Sequence, residues 1–299
     1  MTNRMPRVLA LLLAASIASV VLGATGRVSA DRAMQKPTFS ARVEAVRVDV
    51  LVTEEGHPVR GLRAADFEVL DDRVPQQVDL VNFEQLPLNV VLSFDMSRSV
   101  AGERLDHLRK AGHALLDALK KDDRAALVTF SHIVALGSDL TPDLDRVRAA
   151  LENVQAEGET ALVDGTYAAM MVGESDVGRS LLIVFSDGLD TSSWLSPGLV
   201  LDTAKRADIV AYCVSVGRSR DRFLRDLTAS TGGSLFEIES TADLDAVFLG
   251  VLNEFRQRYL LSYSPRGVSK DGWHQIEVRV KSRKATVKAR PGYMAGSDR

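Results

Sequence analysis

Three oxygen-bearing side chains stand at alternate positions in Asp95-Met96-Ser97-Arg98-Ser99, directly after the apolar run Leu88-Asn89-Val90-Val91-Leu92-Ser93-Phe94. A carboxylate and two hydroxyls are hard donors, the type that Mg²⁺, Mn²⁺ and Ca²⁺ prefer. The run is rich in Val and Leu and lacks clean alternation, which predicts a central parallel strand covered on both faces. Open parallel sheets bind ligands just beyond the carboxyl ends of their strands. The three oxygens therefore fall where such a sheet holds a ligand. Taken alone, Asp95 equally suits a helix N-cap or turn after the strand. Two other segments bear on the choice. Thr160 lies in Gly158-Glu159-Thr160-Ala161-Leu162, a loop opening a helix, and alone could cap that helix. Asp187 follows a second buried run, residues 180–186, in Ser186-Asp187-Gly188. Asp190 reads as a loop solvator. Asp164, one turn past Thr160, is either a hydrogen-bond partner of that loop or a surface charge.

Other chemistries find little to stand on. Ser131 and His132 are adjacent, and in a strand successive side chains diverge, so they do not face each other as nucleophile and base. No G-x-S-x-G, G-x-G-x-x-G or G-x-x-x-x-G-K-[ST] pattern occurs. His107 and His113 are six apart on a predicted helix and do not share a face. A single cysteine, Cys213, gives no disulfide framework within the chain, and with five histidines no Cys/His zinc site is expected. Its setting, Ile209-Val210-Ala211-Tyr212-Cys213-Val214, makes it a buried small apolar residue. A net charge of −3 shows no nucleic-acid footprint.

The elements that must position these residues follow from texture. Arg4 and Arg7 precede an apolar run over residues 8–22, and Val28-Ser29-Ala30 gives an A-x-A-like cleavage site. The run falls short of the about 20 residues that span a bilayer. Residues 1–30 therefore read as a signal peptide, with a membrane link only if the segment stays uncleaved. Its removal takes away three arginines and no acid, leaving an exported, more acidic protein that is periplasmic, cell-surface or secreted. A β segment over 38–85 carries strands at 39–53, 67–70 and 76–83. From 88 to 258, strands at 88–95, 124–131, 133–137, 180–186, 209–216 and 233–239 alternate with helices at 102–120, 141–154, 161–172, 196–206, 221–230 and 241–255. This is a doubly wound, mostly parallel α/β domain. Thr141-Pro142, Ser196-Pro197 and Thr241 read as helix caps. Strands return at 259–263, 273–281 and 284–289 within a C-terminal segment, 259–294. The two flanks together predict one antiparallel β-sandwich into which the α/β domain is inserted.

Asp95-x-Ser97-x-Ser99, the Gly158-x-Thr160 loop and Ser186-Asp187-Gly188 recur in the right order to resemble the von Willebrand factor type A domain, over residues 88–258. The flanks, with Val48-Asp49-Val50-Leu51-Val52-Thr53 and the ending Lys288-Ala289-Arg290-Pro291-Gly292-Tyr293-Met294-Ala295, are similar to a bacterial von Willebrand A-related family. The resemblance implies a metal-ion-dependent adhesion site. Ser97, Ser99 and Thr160 would offer hydroxyls to Mg²⁺ (or Mn²⁺ or Ca²⁺), and Asp95 and Asp187 would bind directly or through water. It implies a protein partner that supplies an acidic residue to the metal, and a binding role without catalysis. The rival readings are a structural scaffold whose metal is only stabilising, and a metal-assisted hydrolase. Two residues depart from the family pattern. Glu159 stands where glycine is common, and Arg98 sits between the serines. Arg98 either weakens metal binding, meets the partner's acid beside the metal, or points outward. Glu159 either tunes the site charge that a partner meets or points to solvent. Trp194, in the loop after Asp187, is either a partner anchor or a cover for the sheet edge.

Overall fold

The computed structural model describes residues 45–81, 86–175, 177–217, 222–281 and 283–296. The segment read as a signal peptide, and the start of the strand expected from residue 39, lie outside them.

Strand β1 (Val46–Glu54) puts its alternation to two uses. Val48, Val50 and Val52 enter one apolar core. Arg47 and Asp49, on the other face, reach the α/β domain, where Arg47 Nε donates to Asp208 at 2.7 Å and Arg179 Nε donates to Asp49 at 2.8 Å. After a turn the chain folds back as β2 (His57–Pro58), then continues through β3 (Phe67–Asp71), β4 (Val74–Gln76) and β5 (Asp79–Val81). The single strand expected at 76–83 is thus divided. Its first part pairs with β3 and its second crosses to another sheet, because no one straight strand can serve both.

The α/β domain begins with β6 (Leu88–Asp95), buried throughout as the apolar run requires. It continues with α1 (Glu103–Asp117), β7 (Arg124–Phe130), β8 (Val134–Thr141), α2 (Leu144–Glu152), α3 (Leu162–Gly173), β9 (Arg179–Ser186), α4 (Pro197–Ala204), β10 (Ile209–Val216), α5 (Arg222–Thr231), β11 (Leu235–Ile238) and α6 (Leu244–Arg256). The strand order is β11-β10-β9-β6-β7-β8, parallel except for β8 at one edge. That antiparallel edge is longer than the 133–137 strand expected. Helices α1, α2 and α6 pack on one face of the sheet and α3, α4 and α5 on the other. Cys213 is buried in the second of these cores, as its apolar setting predicts.

Two caps differ from expectation. Helix α2 is capped by Asp143, whose side chain accepts from Arg146 N, while Thr141 still belongs to β8. The Thr-Pro pair looks like a cap, but the edge strand runs up to Thr141 and the capping position falls two residues later. The turn before α6 is capped by Ser240, not Thr241. Ser196-Pro197 opens α4 as expected.

The chain ends in β12 (Tyr259–Tyr263), β13 (Gly272–Val280), β14 (Thr286–Lys288) and β15 (Gly292–Ala295). Both flanks contribute to both of the remaining sheets. One has the order β14-β1-β12-β5, with β2 on β1, and the other β15-β13-β3-β4. Val50 and Leu261 of the first share a core with Val69 and Ile276 of the second. The result is a β-sandwich closed by strands from either side of the α/β domain. It has more and shorter strands than the three from each flank that the sequence suggests.

Candidate metal centre

In the α/β sheet the connections leave β6 in one direction to β7 and return on its other side at β9. The crevice at such a reversal, beyond the strand ends, is where these sheets take ligands. Asp95 ends β6 and Ser186 ends β9.

The Asp95 carboxylate is wholly buried and bridges both strand ends. Its Oδ1 accepts from Ser97 N at 2.8 Å and its Oδ2 from Ser186 Oγ at 2.7 Å. Burial pushes the Asp95 carboxyl above its ordinary value, opposed by the hydrogen bonds from Ser97 and Ser186. From Ser97 the chain of oxygens continues. Ser97 Oγ and Ser99 Oγ lie 3.0 Å apart, and Ser99 Oγ donates to Asp187 Oδ1 at 2.6 Å. One short β6 loop and the end of β9 are thus joined through hydroxyls and carboxylates.

Thr160 arrives from a third segment. Glu157 N donates to Met96 O at 2.7 Å and Arg98 N to Gly158 O at 3.0 Å, which stitches the 157–160 loop to the one carrying the serines. Gly158 adopts φ +76°, a conformation that glycine accepts without strain, and the His132 ring lies against it. Thr160 is buried beside Gly188. Its carbonyl accepts from Thr191 N at 2.8 Å and its N–H donates to Thr191 Oγ1 at 3.1 Å. Asp95, Ser97, Ser99 and Asp187 form one hydrogen-bonded chain, and Thr160 Oγ1 lies beside Gly188, the residue after Asp187, without a bond to the other four. All five offer hard oxygens, so the donor set fits a small divalent cation better than a soft one.

Arg98 and Glu159 have exposed side chains at the rim. Trp194 is 95% exposed, so it does not cover the sheet edge. Asp164 fixes its backbone, with Oδ2 accepting from Trp194 N and Oδ1 from Leu195 N, both at 2.9 Å. Asp164 is thus a hydrogen-bond partner, but of the 194–195 segment and not of the Thr160 loop that precedes it. Asp190 is more than a solvator, since its Oδ1 accepts from Ser193 Oγ at 2.5 Å and from Val163 N at 3.3 Å in the first turn of α3.

Sequence reasoning missed Arg104, in the first turn of α1. Its Nη1 donates to Asp187 Oδ2 and, at 3.2 Å, to Ser99 O. The only local signal was its place five residues after Ser99, which ordinary exposed helix arginines share. Ser131 and His132 also depart from expectation. Both residues lie past the end of β7, in a bend where the divergence of strand side chains does not apply, and Ser131 Oγ and His132 Nδ1 come to 3.4 Å. That exceeds a strong O–H···N bond. His107 meets Thr241 and His113 meets Glu152, on different sides of α1.

A second cluster lies in the sandwich. Asp71, Asp72 and His274 bring ligand atoms within reach of a common metal ion. His274 Nδ1 is 2.8 Å from Asp71 Oδ1, while Asp71 Oδ2 accepts from Tyr263 at 3.0 Å and Tyr293 at 2.9 Å. Tyr263 belongs to one sheet and the other three to its partner sheet. The network bolts the sheets together, and its oxygens are already engaged.

The family model of the von Willebrand factor type A domain matches residues 89–249. An uncharacterized protein of Synechocystis is 27% identical over 58% of this chain and 41% of its own length. Inter-alpha-trypsin inhibitor heavy chain H2 of mouse is 24% identical over 60% of this chain and 21% of its own. The chain therefore spans less than half the length of these relatives. Among solved structures, proximal thread matrix protein 1 from the mussel byssus, with zinc occupying its MIDAS motif, superposes with a TM-score of 0.52 at 17% identity. It covers 61% of this chain and 49% of that one.

Proposed function

This chain belongs to the von Willebrand factor type A domain family, a family of protein-interaction modules, and from that premise we propose that it is an exported, metal-dependent binding module. Asp95, Ser97, Ser99, Thr160 and Asp187 hold the divalent cation, Mg²⁺ in the first instance, with Mn²⁺ and Ca²⁺ as substitutes. The observation that carries this is the hydrogen-bonded run from Ser186 through Asp95, Ser97 (by its backbone N–H and then its hydroxyl) and Ser99 to Asp187, at the sheet's switch point. Two carboxylates balance one divalent charge, and neutral hydroxyls and water complete its shell. Bound there, the ion supplies an electrophilic position for an acidic side chain of a protein partner. The zinc in the mussel protein's motif supports a metal at this place in the fold.

The rim suits a protein partner. Ile133, Leu189 and Trp194 are exposed beyond the ends of β7 and β9. Trp194, its backbone clamped by Asp164, is the anchor, since rigidly presented tryptophans dominate interface energies. Arg98 and Glu159, exposed on the loops that carry Ser97, Ser99 and Thr160, tune the charge that the partner meets. The reading is of binding and not catalysis. No helix among the described residues is long and apolar enough to cross a membrane, and the export reading rests on the N-terminal sequence.

A thermal melt after chelation, titrated with Mg²⁺, Mn²⁺, Ca²⁺ and Zn²⁺, tests the site beside Asp95→Ala. A cation that binds only the folded state raises the midpoint with concentration. The expected result is a rise in wild type and none in the variant. Equal shifts in both proteins, or none in either across millimolar cation, overturns the assignment.

A further inference from the structure

The candidate centre carries a cation of its own. The Asp187 side chain is fully buried, with both carboxylate oxygens engaged, Oδ1 by Ser99 and Oδ2 by Arg104. The same guanidinium nitrogen also donates to Ser99 O at 3.2 Å. Arg104 thus ties together the two segments, after β6 and after β9, that a metal ion would bridge. We propose that Arg104 is a tethered competitor for the metal. Its guanidinium holds Asp187 when the ion is absent and leaves Oδ2 when the ion binds. The inference rests on the metal-site reading above.

Three features of the chain support competition over simple support. First, both Asp187 oxygens already carry a partner, Ser99 Oγ on Oδ1 and the Arg104 guanidinium on Oδ2, so a metal at Oδ2 has to share that oxygen with a cation or displace it. Second, the charges balance differently. Asp95 and Asp187 are the two carboxylates of the cluster, and Arg104 neutralises one of them. A divalent ion arriving beside an unmoved Arg104 would leave the cluster with excess positive charge at close range, where repulsion is strong. Third, Arg104 is free to leave. Its side chain is 46% exposed and springs from the first turn of α1, so it can swing into water without vacating a core. A fully enclosed arginine could not act this way. The consequence is a site that stays ordered without metal and fills only when cation activity is high enough to displace an internal rival.

The experiment compares wild type with Arg104→Gln, both chelated and then titrated with Mn²⁺ alone. Binding is read by calorimetry and by the loss of the free-ion paramagnetic resonance signal. Melting midpoints are recorded with chelator and with saturating Mn²⁺. The variant should bind Mn²⁺ at least tenfold more tightly. It should melt lower than wild type in chelator, because Asp187 is then buried without a cation, and show the larger rise on metal addition. Arg104→Lys, which keeps the charge but loses the planar fork, should fall between. The double variant Asp95→Ala with Arg104→Gln should lose the gained affinity, which locates the gain at this centre. If wild type binds Mn²⁺ and Arg104→Gln binds it equally or more weakly, the competitor role is wrong and the metal site stands. If no protein in the series binds Mn²⁺, the metal reading fails and this inference falls with it.

Discussion

Asp164 shows how one side chain can present another. Its two oxygens each accept a backbone N–H, from Trp194 and Leu195. Replacing it by alanine leaves two donors to find water, at a cost of about 1–3 kcal/mol. Amide exchange at residues 194 and 195 should accelerate well beyond the change elsewhere in the chain, and uniform acceleration would mean a merely global loss. Trp194→Ala should do the opposite. At 95% exposure the ring packs on almost nothing, so the melting curve should stay within about 0.5 kcal/mol of wild type. A larger loss would show that the ring supports its own loop. At this scale the oxygens were legible in the sequence, because residue type alone tells a hard donor from a soft one. Arg104 was not legible. Which way a helix arginine turns depends on what the next strand end offers it, and Asp187 lies 83 residues away.

Helix α3 follows the Thr160 loop directly and must lie close on the sheet to hold it. Gly165 makes that approach possible, since a Cβ there would stand 2.4 Å from the Phe130 ring. Gly165→Ala forces ring or helix to shift, and overpacking of this kind costs about 1–3 kcal/mol. The fall in melting midpoint should be accompanied by weaker metal-induced stabilisation, because the helix carries Thr160's loop with it. The sandwich strands make a different prediction. Burial, reinforced by the negative Asp71, holds the Tyr263 and Tyr293 hydroxyls protonated well above the ordinary phenol range. Their folded-state values exceed the unfolded ones, so the stability they contribute is complete below pH about 10 and is lost as pH rises beyond it. In an absorbance titration these two should ionise only together with unfolding, and Tyr263→Phe should shift that alkaline transition. Tyrosinate appearing near pH 10 in the still-folded protein would contradict the burial argument. Strand and helix alternation was readable because period and burial go together. The division of residues 74–81 between two sheets was not, since its cause is a pairing with β12 far along the chain. The Asp71–His274 contact, 203 residues apart, left no local trace either.

The two units of the molecule are joined by charges that neither could bury alone. Arg179 begins β9 of the α/β sheet, Asp49 sits on β1 of the sandwich, and the pair is enclosed, with the guanidinium stacked 4.6 Å over Phe255. Arg258, wholly buried where α6 passes into β12, donates to Asp49 O, to Gly232 O at 2.7 Å and to Tyr212 at 3.0 Å. Because the sandwich is closed by strands from both flanks, the α/β domain cannot unfold without pulling on the ends of β5 and β12, and the sandwich cannot open without dragging β6 and α6. Covalent topology and buried charge therefore argue for a single cooperative unfolding unit. Two probes separate the alternatives. Among the described residues every α-helix belongs to the α/β domain, so far-UV dichroism follows that unit, while in Trp194→Phe the remaining Trp273 on β13 follows the sandwich. In wild type and in this background the two denaturation curves should coincide. Asp49→Ala removes the carboxylate that Arg179 meets in the interior, and breaking a buried pair costs about 3–5 kcal/mol. That loss falls on the junction and not on either core, so the variant should show a lowered midpoint with the two curves drawn apart. Curves that coincide at an unchanged midpoint would mean that the topology alone, and not the buried pair, couples the α/β domain to the sandwich.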